Sequence, residues 1–274
     1  MRLTGSAAFH LGTPSNREQS LAILRGAVEL GVNHIDTAAF YFSSLRSANE
    51  LINTALSPYP DELVIVTKVG PSRDASGQWM AQARPDQLRS QVEENLRQLG
   101  RNHLDVVNLR RQQEMQSVAE HFGALSELRE RGLIRHLGLS GIEPRHLSEA
   151  LAIGPVVCVQ NRYGVDHRPL PTEELVGLCA EQGMAFVPFF AVAGSGGAQG
   201  ALEVESDEVV SVARELGASP AQVRIAWTLH RGRHVLAIPG TSNLGHLREN
   251  IAAASIRLGA DHLRRLDAIG RSTS

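Results

Sequence analysis

Cysteine is nearly absent: two residues in a chain of 274. Cys158 lies in VVCVQ and Cys179 in LVGLCA, both apolar settings. Thiols placed this way read as buried and reduced, as in a cytoplasmic protein, ahead of a disulfide or metal pair. Nothing else has the spacing of a zinc or iron site, so no metal is expected. Long apolar runs are also missing. None approaches the roughly 20 residues that a membrane span needs. The N-terminus MRLTGSAAFHLG lacks a charged start followed by a long apolar stretch, which leaves no secretion signal. Charge of one sign is lacking too. The formal net charge is −2, with no basic stripe or charge block. Nucleic acid and anionic membranes are therefore not expected partners, and the expected partner is a small molecule. Neither a monomer nor a homo-oligomer is favoured.

What the chain does have is alternation. Short apolar runs, rich in β-branched residues, occur at VNHID (32–36), LVIVTK (63–68), LDVVNL (104–109), IRHLGLS (134–140), PVVCVQ (155–160), MAFVPF (184–189) and VLAIP (235–239). Their length and composition suit buried parallel strands. RLTGSAAF (2–9) makes a possible first strand, for eight in all. Helical patterns lie between them. Residues 17–30, 85–99, 116–131 and 171–182 are each followed by glycine, the favoured left-handed cap. Ser219 before Pro220 reads as an N-cap with proline at the first helical position. Strand–helix alternation requires a parallel sheet with crossover helices. An open doubly wound sheet is the alternative. Eight units in about 250 residues favour an α/β fold of the (β/α)8 TIM-barrel class, one domain over 1–274. GSGGAQG (194–200) reads as a loop within that domain.

Chemistry in such a barrel belongs at the carboxyl ends of the strands. Asp36 closes the second run, Tyr41 follows five residues later, and Lys68 closes the third. A tyrosine, with an ordinary pKa near 10, is a weak acid at neutral pH, and a neighbouring ammonium favours its phenolate form. A carboxylate beside that lysine keeps it charged and fixes its position. Tyr41 could then give a proton to a carbonyl oxygen. Singly, these residues are more often a cap, a solvated charge and a packing ring. Together, at adjacent strand ends, they point to a site. A Schiff-base role for Lys68 needs a neutral amine, which Asp36 opposes.

GVNHIDTAAFY (31–41) resembles the signature of the aldo-keto reductases, and VIVTKV (64–69) resembles their lysine strand. GLS (138–140), VQNRY (159–163) and IPGTSNLGHLREN (238–250) match further family segments in order, so the resemblance covers nearly the whole chain. It implies a (β/α)8 barrel and NADPH-dependent reduction of aldehydes or ketones, with Asp36, Tyr41 and Lys68 as three members of a catalytic tetrad. The fourth, usually histidine, aligns with Arg110, next to Asn108 and Arg111. Arginine can hold a carbonyl oxygen or a developing alkoxide but cannot relay a proton. This departure also allows a catalytically weak NADP-binding subunit on the same fold. LDVVNLR, VIVTKVG, VPFF and IPGTS with HLREN together resemble the bacterial subgroup that includes pyridoxal reductases, and imply a small polar aromatic aldehyde. A biosynthetic intermediate is the other substrate reading. Compared with that subgroup, the N-terminal hairpin is expected to be shortened, and YFSSLRSAN (41–49) replaces the usual entry.

The same resemblance assigns cofactor contacts. Ile238, Pro239, Gly240, Thr241, Ser242 and Asn243 open a helix whose backbone N–H groups can hold phosphate. His246 stands where arginine is frequent, which weakens a preference for NADP over NAD. Glu249 and Asn250 fall on the adenine. Ser140 and Gln160 are placed to hydrogen-bond the nicotinamide carboxamide, with Gly141 where asparagine is common. Phe186, in the run that includes Pro188, takes the ring-stacking position. No GxGxxG follows a first strand, so a Rossmann site is not indicated.

Overall fold

The computed structural model describes residues 3, 4, 16–43, 46–74, 76–192 and 205–269. Most of the expected first strand (2–9), the expected shortened N-terminal hairpin and the loop 194–200 lie outside the described residues. The described residues form two compact units. One runs to Val159 and includes Gly240–Leu244. The other runs from Gln160 to Pro239 and resumes at Gly245.

The first unit is built on a parallel ladder. Its strands are β1 (His34–Asp36), β4 (Val64–Val69), β5 (Leu104–Arg110) and β6 (Ile134–Ser140), hydrogen-bonded in that order. The start of β7 (Cys158–Gln160) adds to β6. A two-residue antiparallel pair, β2 (Phe42–Ser43) with β3 (Arg46–Ser47), follows β1. Helices α1 (Arg17–Glu29), α2 (Ala48–Leu56), α3 (Leu88–Leu99), α4 (Ala119–Glu130) and α5 (Pro144–Leu151) complete the unit. Gly31, Gly100 and Gly132, which close the first, third and fourth of these, all have positive φ, as a left-handed cap requires.

Register decides which side chains meet. Asp36 pairs with Val66, Lys68 with Asn108, and Arg110 with Ser140. Side chains alternate along a strand, so Asp36, Lys68, Asn108, Arg110, Gly138 and Ser140 share one face. The other face carries Ile35, Ile65, Thr67, Val69, Val107, Leu109, Leu137 and Leu139, all buried. Thr67 donates to Asn95 of α3 at 2.5 Å, which places the helix layer on this second face.

The second unit holds Gln160 of β7, α6 (Leu170–Glu181), β8 (Ala185–Phe186), α7 (Asp207–Leu216), α8 (Pro220–His230), most of α9 (Leu244–Ala252), and α10 (Ala260–Ala268). Ser219 caps α8 by accepting from the Gln222 N–H at 3.3 Å, with Pro220 at the first position, as the sequence indicates. Its core stacks Tyr163 on Trp227 at 5.7 Å between ring centroids. Arg224, only 2% exposed, is held between Asp166 and Glu205. The run 235–239 forms no strand of its own. Val235 makes a single parallel bridge to Phe186.

Neither cysteine is in a disulfide and both are buried, and burial pushes the Cys179 thiol up to about 12. Among the described residues no helix is long and apolar enough to cross a membrane, and no group of three or more His, Cys, Asp or Glu could hold a metal ion.

Gly138 occupies the tightest point of the ladder. A Cβ there would lie 2.1 Å from Asn108 Oδ1, 2.5 Å from Cys158 Sγ and 2.9 Å from the Cys158 carbonyl oxygen. Gly138→Ala is therefore expected to destabilise the protein by about 1–3 kcal/mol, read as a lower midpoint in denaturant unfolding. An unchanged midpoint would show that the ladder relaxes freely at this point.

Candidate active site

The site begins with a buried ion pair. Lys68 Nζ donates to Asp36 Oδ1 at 2.6 Å, to Asp36 Oδ2 at 2.8 Å and to the Thr37 carbonyl oxygen at 2.9 Å. The lysine is 4% exposed and the aspartate 10%. Burial pulls the ammonium down. The charge of Asp36, the nearby Tyr41, and hydrogen bonds with both outweigh it, so the Lys68 pKa stands above its ordinary value. An ammonium held this way is a poor nucleophile, which argues against Schiff-base chemistry.

Tyr41 sits beside this pair, with Lys68 Nζ 5.2 Å from its ring centroid. Its backbone is held on both sides. Its N–H donates to Ala38, and its carbonyl oxygen accepts from Ala48 at the start of α2. The β2–β3 pair closes the loop between these points. Phe40, 4% exposed, meets the Tyr41 ring edge-on at 5.2 Å. His34, two residues before Asp36 on the same face, is held below the ordinary imidazole range, chiefly by burial, and adds no charge at neutral pH.

Arg110 ends β5 and completes the cluster. Its guanidinium carbon lies 5.3 Å from the Phe40 ring and 4.6 Å from the Trp79 ring. Burial pulls its pKa down, and Tyr41 opposes that shift. The guanidinium stays cationic at neutral pH. Arg111, its neighbour, faces elsewhere and donates to the Gly141 carbonyl oxygen and to Glu143. The backbone under Arg110 is clamped by Gln82, which donates to the Arg110 carbonyl oxygen at 3.2 Å and accepts from the Gln112 N–H at 3.1 Å. Gly70, at φ 119°, lets this clamp close, because a Cβ there would lie 2.5 Å from Gln82 Nε2 and 2.6 Å from the Arg110 carbonyl oxygen.

Several supporting residues escape a reading of sequence alone. Thr37 donates to Asn49 of α2 at 2.8 Å, and Asn49 donates to Asn95 of α3 at 2.9 Å. Asn95 also accepts from Thr67 of β4. This buried chain of amides and hydroxyls ties the Asp36 and Lys68 strand ends to two helices. A buried asparagine within a helical pattern was the one available signal. Arg73 and Trp79, facing each other across a short hairpin after β4, are the other residues that the sequence leaves unmarked.

The expected cofactor residues divide between the units. In the first, Ser140 is buried at the end of β6, and Gly141 follows at φ 72°. Thr241 accepts from the Asn243 N–H just before α9, the Ser242 carbonyl oxygen accepts from Gln19, and Ser242 and Asn243 are exposed. In the second, Gln160, Phe186 and Pro188 are buried, Ile238, Pro239 and Asn250 half-buried, and His246 and Glu249 exposed. Phe186 is fully buried, edge-on to Tyr163 at 5.6 Å.

Comparison with known proteins fits this geometry. The family model described as "Aldo/keto reductase family" matches residues 3–271. The chain belongs to the aldo/keto reductase family. As a member it is an oxidoreductase with an α/β fold of the TIM-barrel class. It is 40% identical to pyridoxine 4-dehydrogenase of Escherichia coli (strain K12) over 99% of this chain and 93% of that protein. It is 28% identical to a thermostable aldo-keto reductase crystallised with the inhibitor epalrestat, with a TM-score of 0.78 over 93% of this chain and 89% of the other. An aldo-keto reductase of Klebsiella pneumoniae crystallised with NADPH is 25% identical, with a TM-score of 0.77 over 97% and 88%.

The ammonium of Lys68 is present below its pKa and lost as pH rises through it. Asp36→Asn removes the strongest influence holding that pKa up, and burial then pulls it down. The alkaline limb of the kcat/KM profile for carbonyl reduction should move to lower pH in Asp36→Asn. A limb that stays in place would show that Lys68 is not the group titrating there.

Proposed function

We propose that this protein reduces an aldehyde or ketone to an alcohol with NADPH, and that Tyr41 delivers the proton. The observation that carries this reading is Tyr41 held against the buried Lys68–Asp36 pair. The Escherichia coli relative's name and the Klebsiella pneumoniae enzyme's complex with NADPH support the substrate class and the cofactor. The family match over residues 3–271 supports one barrel domain along the chain.

The donor set suits the cofactor. Exposed Ser242 and Asn243, with Thr241 at the start of a nine-residue helix, have the chemistry to hold a phosphate. We assign Ile238, Pro239, Gly240, His246, Glu249 and Asn250 to the same end of the cofactor, and Ser140, Gly141, Gln160, Phe186 and Pro188 to the nicotinamide end. Bound NADPH supplies the hydride.

The chain's own residues do the rest. Arg110 points its donors at the substrate carbonyl oxygen and stabilises the charge that develops there. Tyr41 gives its proton to that oxygen. As the proton leaves, negative charge on the phenol oxygen is met by the Lys68 ammonium. Asp36 holds the ammonium in place and keeps it charged. No group relays a proton at the fourth position, so proton delivery rests on Tyr41. A small polar aromatic aldehyde such as pyridoxal is the substrate this reading favours. The half-buried indole of Trp79, backed by the buried Phe40 ring, offers aromatic surface near Tyr41.

Purified protein with NADPH and a panel of carbonyl compounds tests the assignment. Pyridoxal should be turned over, and Tyr41→Phe should lose reduction while NADPH still binds in a fluorescence titration. Activity surviving in Tyr41→Phe would remove that residue as the acid. No turnover of pyridoxal beside fast turnover of another carbonyl would move the substrate class. Arg110→His should keep a measurable fraction of kcat if the position only orients the carbonyl. A folded, cofactor-binding but inactive variant would show that the guanidinium has a role imidazole cannot fill.

A further inference from the structure

The backbone that carries Trp79 is bonded to the backbone that carries Arg110. The segment after β4 returns on itself as a short hairpin, with Arg73 and Trp79 in an antiparallel bridge across it. Asp74 sets the turn, accepting from the N–H groups of Ser76 and Gln78 at 2.8 and 3.0 Å and from the Ser76 hydroxyl at 2.6 Å. The Met80 N–H donates to the Ser72 carbonyl oxygen at 3.0 Å, which closes the hairpin next to Trp79. The returning arm is then tied to the end of β5. The Gln112 side chain donates to the Met80 carbonyl oxygen at 3.0 Å, and Gln82 bridges the Arg110 carbonyl oxygen and the Gln112 N–H. The indole and the Arg110 side chain therefore leave two backbones whose separation is fixed by short hydrogen bonds close to both.

Two rings meet the Arg110 guanidinium. Its carbon lies 4.6 Å from the Trp79 ring centroid and 5.3 Å from that of Phe40. The rings pack on each other at 5.3 Å with their planes at 67°, and Phe40 meets Tyr41 edge-on. Among the described residues no carboxylate forms an ion pair with Arg110, and the influences on its charge are burial and Tyr41. A carboxylate holds a guanidinium by taking its N–H donors. An aromatic face attracts the charge as a whole and takes no such bond, and the attraction strengthens as the cation is desolvated. Held by rings, Arg110 keeps its planar fork of donors for a ligand oxygen.

We propose that Trp79 is a positioning residue for carbonyl reduction: its indole face, with Phe40, fixes the Arg110 guanidinium near Tyr41 and leaves the guanidinium donors to the substrate's carbonyl oxygen. This rests on the carbonyl-reductase reading above and adds to it the residue that sets the oxygen-holding cation. Trp79 acts through Arg110 and exchanges no proton.

The experiment uses the full chain with NADPH and pyridoxal, or 4-nitrobenzaldehyde if pyridoxal is not reduced. Tryptophan is replaced throughout by its mono-, di- and trifluorinated forms, which weaken the ring's hold on a cation with little change of shape. kcat should fall stepwise along the series, to about a tenth with trifluorotryptophan, while the NADPH dissociation constant stays within about twofold. Trp79→Leu should lose kcat about tenfold, and Trp79→Phe, which keeps an aromatic face, should recover most of it. Trp227 is the one other tryptophan. In Trp79→Phe the fluorine series touches Trp227 alone and should leave kcat unmoved. The Arg73 guanidinium carbon lies 3.6 Å from the same Trp79 ring centroid, so the series is repeated in Arg110→His, where the dependence should vanish. Fluorine NMR gives a readout independent of turnover: the Trp79 resonance should move in Arg110→Gln and the Trp227 resonance should not. Thermal melting checks that each variant is folded. A kcat that is flat along the series, a dependence that persists in Arg110→His, or a Trp79 resonance unmoved in folded Arg110→Gln would overturn the proposal. If Arg110→His is inactive, the NMR comparison decides in its place. If the unaltered protein reduces no carbonyl compound, the reductase reading fails and the role of Trp79 falls with it. Reduction that is insensitive to ring fluorination removes the role of Trp79 alone.

Discussion

A lysine that is 4% exposed, bonded to a carboxylate 10% exposed, is the constraint around which the first unit is organised. Taking two charges out of water costs several kcal/mol each, and their attraction offsets this only when geometry and remaining hydrogen bonds are complete. Here they are. Lys68 Nζ reaches both Asp36 oxygens and the Thr37 carbonyl oxygen, with the Tyr41 ring centroid 5.2 Å away. The pair can exist only where β1 and β4 are parallel and in the observed register. Shifting either strand by one residue would turn its member of the pair to the helix-covered face. The buried pair beside Tyr41 is therefore also a device that specifies the ladder.

Around that pair the protein places polar groups that satisfy one another. The Thr37–Asn49–Asn95–Thr67 chain runs beneath the strand ends, and Gln91 of α3 brackets Gly70 from both sides, accepting from its N–H at 2.7 Å and donating to its carbonyl oxygen at 3.2 Å. Buried amides left unpaired would each cost about 1–3 kcal/mol. Paired, they fix the backbone at the points where Asp36, Lys68 and Arg110 leave their strands. The site is thus held by α2 and α3 as much as by the strands themselves. Electrostatic stabilisation depends on groups that need not reorganise during reaction, and a buried network of this kind supplies that rigidity.

The cationic side of the site is assembled differently. Arg110 comes from a strand end, and Arg73 from a hairpin closed by an aspartate turn. Trp79 is the surface on which both rest. Each guanidinium meets the face of the Trp79 ring, which attracts a cation. Arg110 brings a permanent charge to the end of β5.

Much of this was legible in the chain as letters. Strand ends at Asp36 and Ser140, and to within one residue those near Lys68 and Leu109, follow from β-branched runs of the right length, and helix ends follow from Gly31, Gly100, Gly132 and Gly183, because both signals are local in sequence. Shorter helices such as Pro144–Leu151, Asp207–Leu216 and Ala260–Ala268 were not read, since two or three turns give little periodicity. The run 235–239 has strand composition yet contributes only one bridge, because a strand exists only where a neighbour's backbone is in register to bond it. The candidate cluster Asp36, Tyr41 and Lys68 was marked by the sequence, as two strand-end positions and a residue in the loop after the first of them. Only tertiary structure decided that Asn49 and Asn95 brace the cluster, that Gly138 must be glycine, and that Arg73 and Trp79 join Arg110 beside Tyr41. The physical reason is range. Periodicity reports a residue's own backbone, whereas these contacts join residues tens of positions apart and depend on register and loop closure that no local pattern encodes.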